Sequence, residues 1–391
     1  MLGNDILAKA ASLNEITAGK KIKIAVSYCL IDDAESNTSI DSLRSEDELF
    51  DRKKVIVAID HDTPAGSVGA AEVQKKLMKF ARKYDTIFHN GEGIGYQLIL
   101  EKYIKKGDIF VGCGNHTAIF GAKGAMGFRV KPDKLTEILK TGFIEIKAPE
   151  IVMVEFTGKL NPGVYSKDVI LQVIKEAGSK ALEGKVIEFV GNGLLNLTEE
   201  DLVTICSLTG RTGAISAVVN FDSTLDGDSY CDKYKFDLGE VRSLVVKPDN
   251  YNEIVEADTL EKISVNEVFI GGNAGGKIQD LRTAARILKG KKVAYRLRML
   301  VAPVTSAVYI KALQEGLIEI FIDAGCLVMN QGCSVDWGKS QGIIDTDEVL
   351  VSAGTYNEKG HAGSDTAKIY ISSPATAAMT ALTGHICPEL S

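Results

Sequence analysis

The repeated order of apolar run, turn and amphipathic stretch is the feature of this sequence that most constrains its fold. Val55 to Asp60 is apolar and β-branched, and Asp62 to Gly66 supplies turn residues. Val68 to Lys83 then places apolar side chains at helical spacing. Because strands that alternate with helices are typical of mostly parallel sheets covered on both faces, the sequence predicts an α/β fold.

The same pattern recurs to the end of the chain. It predicts further strands at Asp108 to Gly112, Glu150 to Thr157, Glu267 to Ile270, Val293 to Pro303 and Ile318 to Asp323. It predicts further helices at Asp168 to Ala177, Lys277 to Leu288 and Ser306 to Glu315.

The length and two shifts in composition indicate more than one domain. A chain of 391 residues is too long for one ordinary core. A short strand follows Pro149, and the stretch from Lys247 to Lys262 is charged and poor in apolar residues, as in a linker or surface segment. We therefore predict three α/β domains, at residues 1–148, 149–255 and 256–391.

Composition excludes several classes of protein. The net charge of −7 leaves no basic field to neutralise phosphates, so nucleic acid is not an expected partner. No run of about 18 apolar residues occurs, which argues against a membrane span. The seven cysteines are odd in number and widely separated, so we expect no disulfide framework and a cytoplasmic location.

Polar residues follow several predicted strands. Asp60 and His61 end one strand, and a carboxylate beside an imidazole can fix its tautomer and raise its basicity. His116 lies in a glycine-rich loop after another strand, at the sheet edge where open α/β folds bind ligands. The loop from Gly271 to Gly276 precedes a helix but lacks the spacing of a phosphate-binding motif, so a tight structural turn is favoured there.

A third group of polar residues lies near the carboxyl end. Cys326 and Cys333, with Asp323 and Asp336, could ligate a metal ion, although buried inert thiols are the commoner fate of single cysteines.

Taken in order, these segments resemble the aconitase family, and in particular the large subunit of 3-isopropylmalate dehydratase. The run from Phe156 to Val164, followed by Lys167 to Val169, is close to a family signature. The resemblance implies three α/β/α domains with mostly parallel sheets around a central pocket. It also implies a separate small-subunit chain that carries the swivelling fourth domain, for which this chain has no room.

Family members dehydrate and rehydrate hydroxy acids with a 4Fe-4S cluster held by three cysteines. At those positions this chain has Asn273, Cys333 and Asp336, so only Cys333 is a matching cofactor ligand. We therefore expect no intact cluster, because neither an amide nor a carboxylate replaces a thiolate without changing the charge and softness of the site.

Two replacements for the cluster remain open. Asn273, Cys333 and Asp336, joined by His61 or His116, could hold one divalent metal ion. Alternatively, Cys113 could join Cys333 and Cys326 in an unusual thiolate set that holds a differently ligated cluster.

The substrate-binding motifs also depart from the family. Both arginines of an Asn-Arg-Asn-Phe-x-Gly-Arg motif are replaced, by Tyr356 and His361, and a His-Gln motif becomes Tyr96 and Gln97. Because bidentate arginines normally hold carboxylates, we predict that 3-isopropylmalate, citrate and homocitrate are not substrates.

The resemblance assigns roles to the residues that stand at the family's motif positions. His61 and His116 are the acid and base candidates, Asp60 orients His61, and Glu188 is a fourth catalytic candidate. Gln97, Asn115, Thr117, Tyr356 and His361 are the substrate-binding candidates. The leading hypothesis is a divergent aconitase-type hydro-lyase, a dehydratase or isomerase, that acts on a small hydroxy acid or related small molecule without the usual 4Fe-4S cluster. This chain could be a homo-oligomer as well as a partner of the small subunit. The alternative is a non-catalytic binding or regulatory paralogue.

Overall fold

Three sheets organise the chain in the computed structural model, which describes residues 1–178, 181–222, 229–260, 263–339 and 341–389. Each of these three is built mainly from parallel strands, and a fourth sheet is a single antiparallel pair of strands. This confirms the predicted α/β fold class. None of the described helices is both long and apolar enough to cross a bilayer.

The first unit contains a five-stranded parallel sheet and a separate antiparallel pair of strands. Its helices are α1 (Leu2–Ala11), α2 (Val68–Tyr84), α3 (Gly95–Lys102) and α4 (Pro132–Thr141). Its strands are β1 (Lys21–Ala25), β2 (Tyr28–Asp32), β3 (Val55–Ile59), β4 (Ile87–Asn90), β5 (Ile109–Gly112), β6 (Met126–Arg129) and β7 (Phe143–Lys147). The parallel sheet has the order β4-β3-β2-β5-β6, and β1 pairs with β7.

The second unit is a four-stranded parallel sheet with the order β10-β9-β8-β11. Its elements are β8 (Ile151–Thr157), α5 (Ser166–Ala177), β9 (Val186–Val190), α6 (Glu199–Leu208), β10 (Ser216–Val219) and β11 (Asp232–Asp237). The predicted boundary at residues 148 and 149 lies between β7 and β8.

The third unit is a seven-stranded sheet with the order β13-β12-β18-β17-β14-β15-β16. Its strands are β12 (Leu244–Val246), β13 (Ile254–Glu256), β14 (Glu267–Ile270), β15 (Arg298–Val301), β16 (Leu327–Val328), β17 (Val349–Ser352) and β18 (Lys368–Ser372). Its helices are α7 (Ile278–Leu288), α8 (Ser306–Gln314), α9 (Leu317–Ala324) and α10 (Pro374–Thr383).

The third sheet begins earlier in the chain than the composition indicates. β12 pairs antiparallel with both β18 and β13, so the chain joins this sheet at Leu244 instead of residue 256. The predicted linker from 247 to 262 therefore contains a sheet strand, and its apolar residues Tyr251, Ile254 and Leu260 are buried. Residues 261 and 262 of that stretch lie outside the described residues. We propose a boundary between β11 and β12.

The run from Ile318 to Asp323 is helical, and the prediction of a strand there was wrong. A short apolar run does not distinguish the two structures by itself. In α9 the buried residues Leu317, Ile318, Phe321 and Ala324 recur at helical spacing, whereas Ile322 is exposed. Packing of one helical face therefore determines this segment.

Candidate functional site

A polar cavity of about 290 Å³ lies between the first and third units. Its walls come from the loops that follow the carboxyl ends of strands, which is where α/β sheets bind ligands. The sequence-predicted residues that line it are Asp60, His61, Asn115, His116, Asn273, Cys333, Asp336, Tyr356 and His361. The structure therefore brings most of the candidate site residues together.

A pair of aspartates holds the His61 imidazole. Nδ1 of His61 lies 2.7 Å from Oδ1 of Asp60 and 3.0 Å from Oδ1 of Asp33. Asp33 follows β2, and its carboxylate also accepts the backbone N–H groups of Asp60, His61 and Asp62. Oδ2 of Asp60 accepts the N–H of Gly95 at 2.6 Å. These contacts fix the loop after β3, and both carboxylates contact Nδ1 of the His61 ring.

These contacts separate the protonation behaviour of the three groups. Burial disfavours the charged ring, but Asp60, Cys333 and Asp33 outweigh it and raise the pKa of His61 well above its ordinary value. Burial raises the pKa of Asp60 to about 6, and His61 opposes that rise. Although Asp33 is also largely buried, its contacts with His61 hold its pKa far below the usual range. His61 therefore holds its proton in the cavity more strongly than an ordinary histidine does.

Cys333 lies against this pair. Its backbone N–H donates to the carbonyl oxygen of Asp60 at 3.0 Å. The donor atoms of Asp60, His61 and Cys333 all lie within 4.8 Å of one another, which is close enough to hold one metal ion. Burial raises the pKa of the Cys333 thiol to about 12, and His61 moderates that rise. An added positive charge would therefore be needed to form the thiolate.

His116 is buried on another wall of the cavity, and among the described residues no carboxylate hydrogen-bonds to its ring. Its Nδ1 lies 3.4 Å from the Ser207 hydroxyl, and its Nε2 lies 3.5 Å from the Thr355 hydroxyl. Burial lowers the pKa of His116 to about 4, although Asp336 opposes the change. Near neutral pH the ring is therefore uncharged, and its unprotonated nitrogen can accept a proton.

The Asp336 carboxylate is enclosed by backbone. Its Oδ1 accepts the Thr355 N–H at 2.8 Å, and its Oδ2 accepts the Thr355 hydroxyl at 3.0 Å. A Cβ added at Gly272 or Gly354 would lie within 2.5 Å of this carboxylate, so both positions need glycine. Asp336 therefore joins the loops after β14 and β17.

Tyr356 and His361 occupy the positions of the two absent arginines. Their rings stack with centroids 4.5 Å apart, and Asn115 donates to the Tyr356 hydroxyl at 3.3 Å. Nε2 of His361 lies 2.9 Å from the carbonyl oxygen of Asp336. These side chains bind one another and provide no guanidinium for a carboxylate.

Two buried amides lie beside the cavity. The Gln97 side chain donates to the backbone carbonyl of Asn273 at 3.0 Å and thus supports the loop after β14. The Asn273 side chain lines the cavity, and its buried Oδ1 has no hydrogen-bond partner in the part of the chain that the structure describes. A buried carbonyl oxygen without a donor is energetically costly, so this position is suited to a bound group.

A second cavity, of about 380 Å³, adjoins the first. Asn115 and His116 line both cavities and form part of the wall between them. Thr117 lies only in the second, together with Ser207 and Arg211. The sequence placed Thr117 at the substrate, and the structure instead places it behind His116.

The structure does not bring Glu188 to the cavity. Its carboxylate accepts the backbone N–H groups of Leu2 and Gly3, the Asn220 amide and the Tyr230 hydroxyl. An anion at the amino end of α1 is stabilised by these donors and by the helix dipole. We therefore assign Glu188 to attaching α1 to β9.

The alternative thiolate set is not assembled. Cys113 packs in a core cluster of the first unit, and Cys326 packs in a core cluster of the third, whereas only Cys333 lines the cavity. Burial raises the pKa of Cys113 to about 12. A side chain directly after β5 continues the alternation of the strand and here points into the core.

Several residues of the site escaped the sequence reasoning. Asp33 follows β2 as Asp60 follows β3, so the rule that ligands bind at strand ends could have found it. Arg211 reaches the site only through the fold: it pairs with Glu358 and donates to the carbonyl oxygen of Thr355 at 2.6 Å. Tyr96, Trp337 and Lys339 also line the cavity.

The donor set does not fit a 4Fe-4S cluster. Such a cluster needs three thiolates, and Cys333 is the only cysteine among the described residues that line the cavity. The grouping of Asp60, His61 and Cys333 has the mixed character that suits one divalent ion.

This architecture is an α/β fold whose parallel sheets enclose a polar cavity with two histidines in contrasting environments, an arrangement that suits acid–base chemistry on a small molecule. The sequence model of the aconitase family (aconitate hydratase) matches residues 4–230 and 240–384, and the chain belongs to that family. The predicted family, one of hydro-lyases, is thereby confirmed.

Similar proteins agree with this assignment. The 3-isopropylmalate dehydratase large subunit 1 of Archaeoglobus fulgidus is 33% identical, with 96% of each chain covered. The methanogen homoaconitase large subunit of Methanocaldococcus jannaschii is 30% identical, again with 96% of each covered. The crystal structure of Thermococcus kodakaraensis aconitase X shares the fold, with a TM-score of 0.54 and 14% identity over 85% of this chain and 83% of that one.

Proposed function

We propose that this chain is the large subunit of a hydro-lyase that removes water from, or adds water to, a small hydroxy acid without a 4Fe-4S cluster. The contrast between His61 and His116 in one polar cavity is the observation that carries this proposal. Catalysis of elimination needs one proton donor and one proton acceptor, and the two environments hold the histidines in those two states.

The reaction divides between the two histidines. Neutral His116 takes the proton from the carbon next to the substrate carboxylate, and the electrons of that C–H bond form the carbon–carbon double bond. Protonated His61 gives its proton to the departing hydroxyl as the C–O bond breaks, so water leaves. Asp60 and Asp33 hold the His61 ring and stabilise its charge before the transfer. Hydration of the alkene is the reverse sequence.

A single divalent ion is the metal we propose in place of the cluster. Asp60 and Cys333 supply a carboxylate and a thiol within reach of one ion, with Asn273 and Asp336 in the same cavity, and His61 keeps its proton for the departing hydroxyl. Such an ion would supply a Lewis acid. Metal analysis of anaerobically purified protein is expected to show at most about one ion per chain. Four iron atoms with visible cluster absorbance would contradict the proposal.

The substrate we propose carries fewer carboxylates than citrate, homocitrate or 3-isopropylmalate. Among the described residues, no arginine lines the cavity, and Arg211 beside it is already paired with Glu358. Fixed guanidinium groups are what normally hold such polyanions. In a coupled absorbance assay we expect no turnover of these three acids, and turnover of any of them would refute this assignment.

The partner we propose is a small-subunit chain that carries the swivelling domain. The relatives named above are themselves large subunits, which supports a small-subunit partner. A cytoplasmic location and a possible homo-oligomer remain proposals from the sequence.

Exchange of substrate protons with D2O tests the reaction directly. With a 3-hydroxy monocarboxylate as probe, NMR is expected to show exchange of the proton next to the carboxylate. His116→Gln should slow exchange about 100-fold or more, since general bases commonly contribute that much. Exposed His385 offers the control His385→Gln, which should leave exchange unchanged. Equal rates in the wild type and His116→Gln would exclude the proposed base.

The second candidate function is a non-catalytic binding or regulatory paralogue. The replacement of two cluster ligands and two arginines favours it. Binding of a hydroxy acid in the cavity without proton exchange under any condition would support this alternative over the lyase.

A further inference from the structure

We infer that the substrate of this cavity is a hydroxy acid that carries one carboxylate and one protonated amine. This inference rests on the proposed function and names its substrate class. It follows from the charges around the cavity and from an unpartnered acceptor within it.

Carboxylates outnumber cations around the cavity. Five acidic residues line it, and Lys339 is the one lysine or arginine among the lining residues that the structure describes. The acidic residues are Asp32, Glu35, Asp60, Asp336 and Glu358.

Ion pairs remove only part of this excess. Arg129 pairs with Glu35, and Arg211 pairs with Glu358. That leaves Asp32, Asp60 and Asp336, with Asp33 behind them, against Lys339 and His61. A substrate with two or three carboxylates would add like charge to a partly buried site, which is unfavourable at short range. A cationic group offsets the excess instead.

The second observation is independent of charge. Asn273 is 3% exposed and lines the cavity, and its side-chain oxygen forms no hydrogen bond with any of the residues that the structure describes. An ammonium group has three N–H donors and no acceptor, so it matches an orphaned oxygen in an acidic environment. A carboxylate in that place would leave the oxygen without a donor.

Lys339 provides the place for the single carboxylate. Its ammonium lines the cavity 4.5 Å from the centre of the Trp337 ring, and no ion pair of Lys339 occurs in the described ranges. One carboxylate can therefore be bound at one side of the cavity and one amine at another.

Two four-carbon probes isolate the difference. 4-Amino-3-hydroxybutanoate is malate in which the carboxylate on the hydroxyl-bearing carbon is replaced by an aminomethyl group. Loss of water from it gives 4-aminobut-2-enoate. Titration calorimetry on the whole chain, with its small subunit where the two copurify, is expected to show at least about tenfold tighter binding of the amino compound than of malate.

Asn273→Asp tests the charge argument within the same site. It adds a negative charge with little change of shape, so it is expected to raise the affinity for the amino compound and lower that for malate. The ratio of the two affinities should change about tenfold. This ratio does not depend on the folded fraction of the preparation. The control is Asp41→Asn, at an exposed site remote from the cavity lining, which should leave the ratio unchanged.

The outcomes separate this inference from the proposed function. Tighter binding of malate, no binding of the amino compound, or an unchanged ratio in Asn273→Asp would overturn the substrate class. Proton exchange on the 3-hydroxy monocarboxylate probe would then still support the lyase. Tight binding of the amino compound without proton exchange would support the substrate class and refute the lyase.

Discussion

At the scale of single residues, the two cavity histidines differ because of what surrounds them. His61 contacts two carboxylates, whereas His116 contacts two hydroxyl groups. Burial acts against the charged ring in both cases, so neighbouring charge determines the difference. One type of side chain can thus serve as both acid and base.

The low pKa of His116 predicts a pH dependence of stability. The unfolded chain binds this proton below about pH 6.5, whereas the folded chain does not until about pH 4. Stability should therefore fall as the pH drops through this window, by at most about 3 kcal/mol from this group. Chemical denaturation at several pH values gives the free energy of unfolding as a function of pH. In this pH window the free energy should change less steeply with pH for His116→Gln than for the control His385→Gln. Parallel slopes would show that His116 titrates normally.

Glu188 predicts a loss of stability without a loss of chemistry. Glu188→Ala leaves the Asn220 and Tyr230 donors and the first turn of α1 without their acceptor. We expect a loss of about 3 kcal/mol or more in urea denaturation, and an unchanged proton-exchange rate per folded molecule. Exposed Glu145 provides the control Glu145→Ala, expected to cost less than about 1 kcal/mol. Loss of proton exchange in folded Glu188→Ala would instead support a catalytic role for Glu188.

At the scale of elements, two cations of the second unit hold a loop of the third. Lys167 at the start of α5 donates to the carbonyl oxygens of Ala353 and Gly354, and Arg211 donates to that of Thr355. This loop follows β17 and carries Thr355 and Tyr356 to the cavity. Burial lowers the pKa of Lys167 to about 7, so the packing of the units determines both the charge and the position of the Lys167 side chain.

Removal of the Lys167 ammonium should loosen this loop. In Lys167→Met the two carbonyl oxygens lose their donor, so we expect amide hydrogen exchange across residues 353–361 to accelerate about tenfold or more. Lys159→Met, at an exposed position nearby, is the matched control. Unchanged exchange across 353–361 would show that the loop is held by other contacts.

At the scale of the whole molecule, the sequence predicts the fold better than the site. Strands such as β3 are recognisable because all their residues are apolar, and Asp60 and His61 follow directly. The helical state of α9 depends on which face packs, and the start of the third sheet depends on which strands pair, and both are tertiary properties. Cys113 and Glu188 carry the right chemistry, but their side chains point into the core and toward α1. Only the fold could show this.

The small-subunit proposal predicts a dependence on a second chain. Closure of a separate domain over a site excludes water and completes the set of contacts. We expect proton exchange by this chain to rise about tenfold or more when the small subunit is added. Gel filtration should show the two chains eluting together. Full activity of the isolated chain, with no association, would refute this partnership.

The partition formed by His116 and Asn115 has a consequence for the size of molecule that the protein accepts. The two cavities, of about 290 and 380 Å³, share these side chains as part of the wall between them. A small side chain at position 116 would connect the acidic first cavity to the second cavity, which is lined in part by Ile144, Phe128 and Ala214. The His116 ring, which we propose as the base, therefore also limits the length of the substrate that the first cavity can hold.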